Sequence, residues 1–209
     1  MAINENKTKE NTERPSEDEK AETKGEERLY EPIRDFLRNI FANYYIEKPR
    51  KPQHQNALSY EREENPYLEI IGKKKSFSQA LKREFNTNTL LLINSEGSFP
   101  DLVGYVRKKP SNPTKEIIVV EIKDKSIRLI DIFQARLYQE IFSPSFCFLI
   151  SSEEIPEERI RFVEKRDFIR GKVIIAQYHE NPYQKYGFFN IHPIFKNSVP
   201  EAFKKFCIS

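Results

Sequence analysis

Tryptophan is absent from the 209 residues, methionine occurs once and cysteine only twice. Cys147 lies in an apolar run and Cys207 near the C-terminus, with no paired spacing. This excludes a zinc or iron–sulfur centre ligated by cysteines of this chain alone, and both read as buried free thiols. Long apolar runs are also missing. None approaches the ~20 residues that span a bilayer, and the opening MAINENKTKE has no apolar core of a secretion signal, so the chain reads as intracellular and cytoplasmic. Residues 1–27 hold hardly an apolar side chain after Ile3. Nothing there offsets the entropy of ordering, and they read as a disordered charged tail.

What is present is charge over a core of ordinary size: 32% of residues are charged and 38% hydrophobic. The net +3 is uneven. Residues 1–28 carry six Lys/Arg against nine Asp/Glu, a local −3, which leaves +6 on the rest. A moderately basic body permits a polyanionic partner without demanding one.

Order begins at Leu29, where Leu29, Tyr30, Ile33, Phe36, Leu37, Ile40, Phe41 and Tyr44 follow helical spacing. Residues 47–66 are polar and proline-punctuated and read as a loop. Ser76–Gln79 resembles a capping box opening a short helix through Phe85. Thr89–Asn94 (TLLLIN) reads as a buried strand, Glu96-Gly97-Ser98 as a turn, Asp101–Val106 as a second strand and Glu116–Lys123 (EIIVVEIK) as a central third. Two prolines and an Asn in Lys108–Lys115 suit a hairpin connection. A helix over Ile127–Phe142 is stopped by Pro144. Phe146–Ser151 is a strand, Pro156 starts a helix through Arg166, and Lys172–Tyr178 is a fifth strand. The aromatic-rich end adds a strand near Phe188–Ile194 and a helix from Pro200. The expected architecture is α/β with a central mixed sheet flanked by helices. A domain over 28–180 follows the tail, and an extension over 181–209 packs on it.

Asp101 opens the second strand, after Pro100, and Glu121 and Lys123 close the third. Residues two apart on a strand share a face, so Glu121 and Lys123 project together. A hairpin between the strands brings Asp101 to the same edge. Charges this deep in apolar sequence are out of place unless they do something. Two adjacent carboxylates repel and raise each other's pKa unless a cation intervenes. Oxygen-only ligands, Asp101, Glu121 and the Ile122 carbonyl, suit Mg2+ or Mn2+, and Lys123 is placed to orient water or offset phosphate charge. The bland alternative is an edge salt bridge between Glu121 and Lys123 with Asp101 in an ordinary turn.

Pro100-Asp101 followed by Glu121-Ile122-Lys123 resembles the motif of the PD-(D/E)xK nuclease superfamily, over roughly Leu29–Ser151. The next helix carries Gln134-Ala-Arg-Leu-Tyr138, similar to the Q-x-x-x-Y element of its RecB-like branch. The resemblance implies a restriction-endonuclease-like α-β-β-β-α-β core. It also implies metal-dependent hydrolysis of DNA phosphodiester bonds, with a tilt toward single-stranded DNA or DNA ends. Gln134 and Tyr138, four apart on one helix face, would touch phosphate or stack on a base; otherwise they are a buried pair capped by hydrogen bonds. Members often place an acid from the first helix near the metal, which points to Glu31. His54 is the sole histidine before the motif and reads as a solvent-exposed bystander. The four cysteines of cluster-bearing members are not matched. Arg107, Lys108 and Lys109 at the hairpin tip, Arg128, and Lys73-Lys74-Lys75 are candidates for nucleic-acid grip. The competing reading is a nuclease-fold module that binds nucleic acid or a partner protein without cutting. Homo-oligomerisation is left open.

Overall fold

The computed structural model describes residues 17–45, 65–107, 115–166, 169, 172–180 and 187–207; side chains are described for these except 17–24, 43–45 and 188. Six strands form one mixed sheet in chain order: β1 (Tyr67–Ile70), β2 (Leu102–Arg107), β3 (Lys115–Lys123), β4 (Phe146–Ser151), β5 (Ile174–His179) and β6 (Phe188–Ile191). β1, β2 and β3 run antiparallel as a meander, β3, β4 and β5 run parallel, and β6 returns antiparallel to β5. The parallel joins need crossovers, and the helices α4 (Leu129–Phe142) and α5 (Glu157–Glu164) supply them.

Side-chain alternation splits the meander between two layers. Leu102, Val106, Ile118, Val120 and Ile122 join the core that buries α1 (Glu17–Tyr45) through Leu29, Ile33, Leu37 and Phe41. Val103, Tyr105 and Val119 point the other way, into a second cluster with Ile93, Tyr138 and Phe142. α1 therefore covers one face of the antiparallel half, and α4 lies on the other. The apolar spacing read from Leu29 onward is the stripe that α1 buries.

Two expectations are corrected here. Thr89–Asn94 is not a strand but the centre of a helix, α3 (Thr87–Glu96). Four consecutive apolar residues suit either state, and the caps decide. Asn86 Oδ1 accepts from Thr89 N–H at 2.8 Å, and Gly97 ends the helix at a left-handed φ of 64°, which glycine adopts without a Cβ penalty. The first strand is instead Tyr67–Ile70, just past the proline-punctuated stretch. The second correction concerns the tail. Residues 17–27 continue α1 toward the N-terminus, while residues 1–16 lie outside the described residues.

The other elements lie close to expectation. α2 (Gln79–Lys82) starts at Ser78, whose Oγ accepts from Leu81 N–H. The C-terminal segment does more than pack on the domain: β6 completes the sheet, and the 3-10 helix Glu201–Phe206 returns Phe203 to the core. Phe203 is fully buried, 5.1 Å from the Phe41 ring and 5.5 Å from that of Phe148. Both cysteines are free thiols. Cys147 is buried, Cys207 half-buried, and burial pushes the Cys147 thiol up to about 12. Among the described residues no helix is long and apolar enough to cross a membrane.

Phe203→Ala is expected to cost about 3–5 kcal/mol of unfolding free energy, the usual range for emptying such a site. Denaturant unfolding of the full chain measures it; a loss below about 1 kcal/mol would show that the C-terminal segment is not part of the core.

Candidate active site

The β2–β3 register places the acids. Leu102 stands opposite Val120, so one residue further along Asp101 stands opposite Glu121. Alternation then puts Glu121 and Lys123 on the α4 side, away from Ile122, which is fully buried in the core against α1. Asp101 and Glu121 are 5% and 3% exposed, so both are desolvated.

Asp101 is held at both oxygens. Tyr30 O–H donates to Oδ1 at 2.5 Å, and Ile122 N–H donates to Oδ2 at 2.7 Å. The Asp101 backbone carbonyl accepts from Ile71 and Gly72 N–H at 2.7 and 3.1 Å. This loop lies so close that a Cβ on Gly72 would stand 2.6 Å from Asp101 Oδ1 and 2.8 Å from the Tyr30 hydroxyl, so the position tolerates no side chain without a shift. Lys123 Nζ lies 3.0 Å from Glu121 Oε1 and 3.2 Å from Glu26 Oε1. Among the described residues, Glu121 Oε2 is buried without a hydrogen-bond partner, and the same holds for Asp124 Oδ1.

The electrostatics follow from burial. Desolvation pushes Glu121 well above the usual carboxylate range, the neighbouring Asp101 pushes it further, and Lys123 opposes both. Asp101 is also raised by burial, with the Tyr30 hydroxyl, Lys123 and the Ile122 N–H pulling it back. Burial alone would lower Lys123, but Glu121, Glu26 and Asp101 around it win, and its ammonium is held above its ordinary value. Burial lifts Glu26 to about 7 against the pull of Lys123, with Asp101 and Asp124 adding to the rise.

The site opens on a cleft of about 440 Å3 lined by Lys123, Lys125, Ser126, Arg128, Asp131 and Glu153. Arg128 stands at the start of α4 and grips Asp131 through Nε and Nη2 at 3.3 and 3.1 Å. On the same helix, Gln134 Nε2 donates to the Tyr138 hydroxyl at 2.9 Å and sits 3.4 Å from Ser98 Oγ, which is itself 2.8 Å from the Tyr138 hydroxyl. Glu121 is close enough to raise the Tyr138 hydroxyl further, beyond the effect of its burial.

The chain matches no family model, and no curated protein or solved structure is detectably similar to it.

Of the candidate residues, the structure brings Asp101, Glu121, Ile122 and Lys123 together, and Gln134 and Arg128 flank them. Three assignments change. Tyr138 has no exposed surface, so it cannot stack on a base; it anchors the Gln134 amide. Glu31 is exposed. The first helix reaches the site through Glu26 and Tyr30, which are four apart and share a face, and Glu31 is turned about 100° from Tyr30 by the helical repeat. Arg107 closes β2 at the end opposite Asp101, about 20 Å away at ~3.3 Å per residue, with its N–H bonded to Asn65 Oδ1 at 2.9 Å. It belongs to the far end of the strand, away from the site. Lys108, Lys109 and His54 lie outside the described residues. Phe189 is core, 4.5 Å from the Phe36 ring. Lys73 and Lys74 lie 3.6 and 4.0 Å from Glu27 and Glu69 at the surface.

Glu26, Gly72, Ser98, Asp124 and Lys125 were not singled out from sequence. The pairing of Glu26 with Tyr30 at i, i+4 at the head of an apolar stripe was the available signal, and the polarity of the segment before Leu29 masked it. A side chain at Gly25 would overlap the Asp124 carboxylate, so α1 is pressed onto the site along this turn.

Because Glu26 holds its proton more tightly when folded (about 7) than its ordinary value of 4.5, the native state binds the extra proton. Its contribution to stability is therefore present below about pH 4.5 and lost as pH rises through about 7. In metal-free buffer, Glu26→Gln is expected to raise the melting temperature relative to wild type at pH 8 and to change it little at pH 4.5. An equal effect at both pH values would contradict the shift.

Proposed function

We propose that the chain is a Mg2+- or Mn2+-dependent deoxyribonuclease that hydrolyses phosphodiester bonds, acting on single-stranded DNA or DNA ends. The observation that carries this reading is the pairing of two desolvated carboxylates at adjacent strand positions, one with a buried oxygen unpartnered among the described residues, beside a lysine that opens on a cleft of mixed charge also lined by Lys125 and Arg128. The order α1, β1, β2, β3, α4, β4, with α2 and α3 inserted after β1, also fits the α-β-β-β-α-β core of the PD-(D/E)xK nucleases that the motif resembles.

Among the described residues no three His, Cys, Asp or Glu side chains form a group able to hold a metal. Mg2+ needs no such cage, since one or two carboxylates with water and substrate oxygens commonly complete its octahedron. Asp101 and Glu121 would hold the ion, with the Ile122 carbonyl as a third oxygen, and of the two carboxylates Glu121 offers an oxygen, Oε2, with no partner among the described residues. When bound, the ion lowers the pKa of a coordinated water and offsets charge on the scissile phosphate.

The protein's own residues supply the rest. Tyr30 and the Ile122 N–H hold the Asp101 carboxylate in one orientation. Lys123, kept charged by its acidic neighbours, faces the cleft and stabilises negative charge growing on the phosphate. Glu26 fixes the Lys123 ammonium from the other side. Lys125 and Arg128 line the path of the flanking phosphates, and Gln134, anchored by Tyr138 and Ser98, offers an amide beside it.

The test is cleavage of single- and double-stranded DNA with Mg2+ or Mn2+ and with EDTA. Wild type cuts only with metal, and Asp101→Ala and Lys123→Ala each lose at least 100-fold in rate, while Glu31→Ala stays within about twofold. Wild-type rates in either of the first two variants would sink the reading; metal-independent DNA binding with no cutting would assign the fold to binding alone. Raised carboxylate pKa values also imply that the ion displaces protons. Calorimetric titration with Mg2+ near neutral pH should therefore show proton release, from buffers of differing ionisation enthalpy, and Glu121→Gln should reduce it.

A further inference from the structure

The loop from Lys123 to Arg128 supplies most of the cleft wall, through Lys123, Lys125, Ser126 and Arg128. A surface loop can leave its backbone groups to water. Here the segment that follows β4 takes them up. Parallel pairing sets Ser151, the last residue of β4, beside Lys123, the last of β3, so the two segments leave the sheet side by side. Ser152 N–H donates to the Lys123 carbonyl at 3.0 Å, and the Ser152 hydroxyl donates to the Asp124 carbonyl at 2.8 Å. The Ser151 hydroxyl donates to the Lys125 carbonyl at 2.9 Å, and its oxygen accepts from Glu153 N–H at 3.0 Å. Ser126 N–H donates to Glu153 Oε2 at 2.9 Å, and Arg159 Nε of α5 donates to the Ile127 carbonyl at 3.3 Å. Each of five consecutive residues, 123–127, is thus tied through its backbone to the segment after β4.

Two members of this turn ask for more than packing. Ser151 has no exposed surface, so its hydroxyl is committed to these bonds. Glu153 is the opposite case, being exposed and part of the cleft wall itself. A carboxylate there repels a polyanion, which makes it a poor choice beside Lys125 and Arg128 on grounds of charge alone. The bond it accepts from Ser126 gives it another task, holding the loop. Asp131, the other acid of the cleft, is buried and bonded to the Arg128 guanidinium. Both acids therefore set the placement of the groups that carry positive charge.

We propose that Ser151, Ser152 and Glu153 are positioning residues. They fix the backbone of residues 123–127 so that Lys123, Lys125 and Arg128, at the head of α4, meet a phosphate chain as one preformed track. A track set before binding spares the entropy of ordering the loop when the strand arrives. The same bonds set the register of the strand, because a phosphate held at Lys125 or Arg128 then stands at a fixed distance from Lys123. The inference rests on the nuclease reading only in taking the cleft as the path of a nucleic-acid backbone, and binding without cleavage is enough to test it.

Fluorescence anisotropy of a labelled single-stranded oligodeoxynucleotide, titrated with the full chain in EDTA over a salt series, tests it. Glu153→Gln removes the charge and keeps an acceptor, and is expected to bind the strand more tightly than wild type. Glu153→Ala removes the same charge together with the acceptor, and is expected to bind about threefold more weakly than wild type. Ser152→Ala leaves the charge unchanged. It is expected to lose about tenfold in affinity, with a shallower salt dependence because fewer phosphates are held at once. Ser152→Thr keeps the hydroxyl and should bind as wild type does. Thr89→Val breaks a hydroxyl-to-carbonyl bond between α3 and α4, to Ile141, and should leave binding unchanged. Glu153→Ala binding as tightly as wild type or tighter overturns the proposal, as does wild-type affinity in Ser152→Ala or an equal loss in Thr89→Val. A wild type that neither binds nor cuts DNA sinks the nuclease reading and this inference with it, whereas one that cuts while these variants bind unchanged sinks this inference alone.

Discussion

Two carboxylates buried side by side at the mouth of a sheet are expensive, and much of the structure around Asp101 and Glu121 manages that cost. Taking one carboxylate out of water is unfavourable, and a second at the adjacent strand position adds repulsion. Lys123 offsets part of it for Glu121, and Tyr30 with the Ile122 N–H offsets part of it for Asp101. What remains is visible as raised proton affinity at both acids and as a buried oxygen on Glu121 that finds no partner among the described residues. A site that retains such a debt of solvation is suited to a divalent cation, which relieves repulsion and desolvation together.

The scaffold explains why this arrangement holds without collapsing. β3 is central, flanked by the β2 meander on one side and the parallel β4 on the other. Its C-terminal end is where side chains leave the packed layers and meet the loop into α4. α1 crosses the opposite face with a fully apolar stripe, so its position is set by Leu29, Ile33, Leu37 and Phe41 rather than by the charges it carries to the site. The polar tips, Glu26 and Tyr30, are thus delivered by core packing. Gly72 completes the enclosure, because the loop after β1 can close over Asp101 only where no Cβ intrudes. On the other layer Ser98, Gln134 and Tyr138 satisfy one another, which lets a tyrosine hydroxyl sit fully buried beside an acid.

How much of this was legible in the sequence differs from element to element. β3 could be read because a β-branched apolar run ending in Glu121-Ile122-Lys123 has one sensible placement, and the two-residue strand period fixes which side chains share a face. α1 could be read from its 3.6-residue stripe, but not its start, since residues 17–27 have too little apolar surface to announce a helix. TLLLIN misled because its length suits a strand or a helix turn equally, and the deciding features, the Asn86 cap and the left-handed Gly97, act through backbone geometry. Glu31 was the plausible acid by sequence position, yet a helix turns about 100° per residue, and Glu26 faces the site.

By itself the sequence determined the chemical cast: a lysine and two acids in apolar surroundings, alternating strands and helices, and cysteines too few and too scattered for a cluster. These follow from composition and from periods that the backbone imposes locally. Tertiary structure alone decided which groups meet, because contact between Tyr30 and Asp101, 71 residues apart, depends on how α1 seats on the sheet. It also decided that Tyr138 is sealed inside while Ile130, Phe133 and Leu137 face outward. A helical period shows that such residues share a stripe, but which stripe is covered depends on what packs against it.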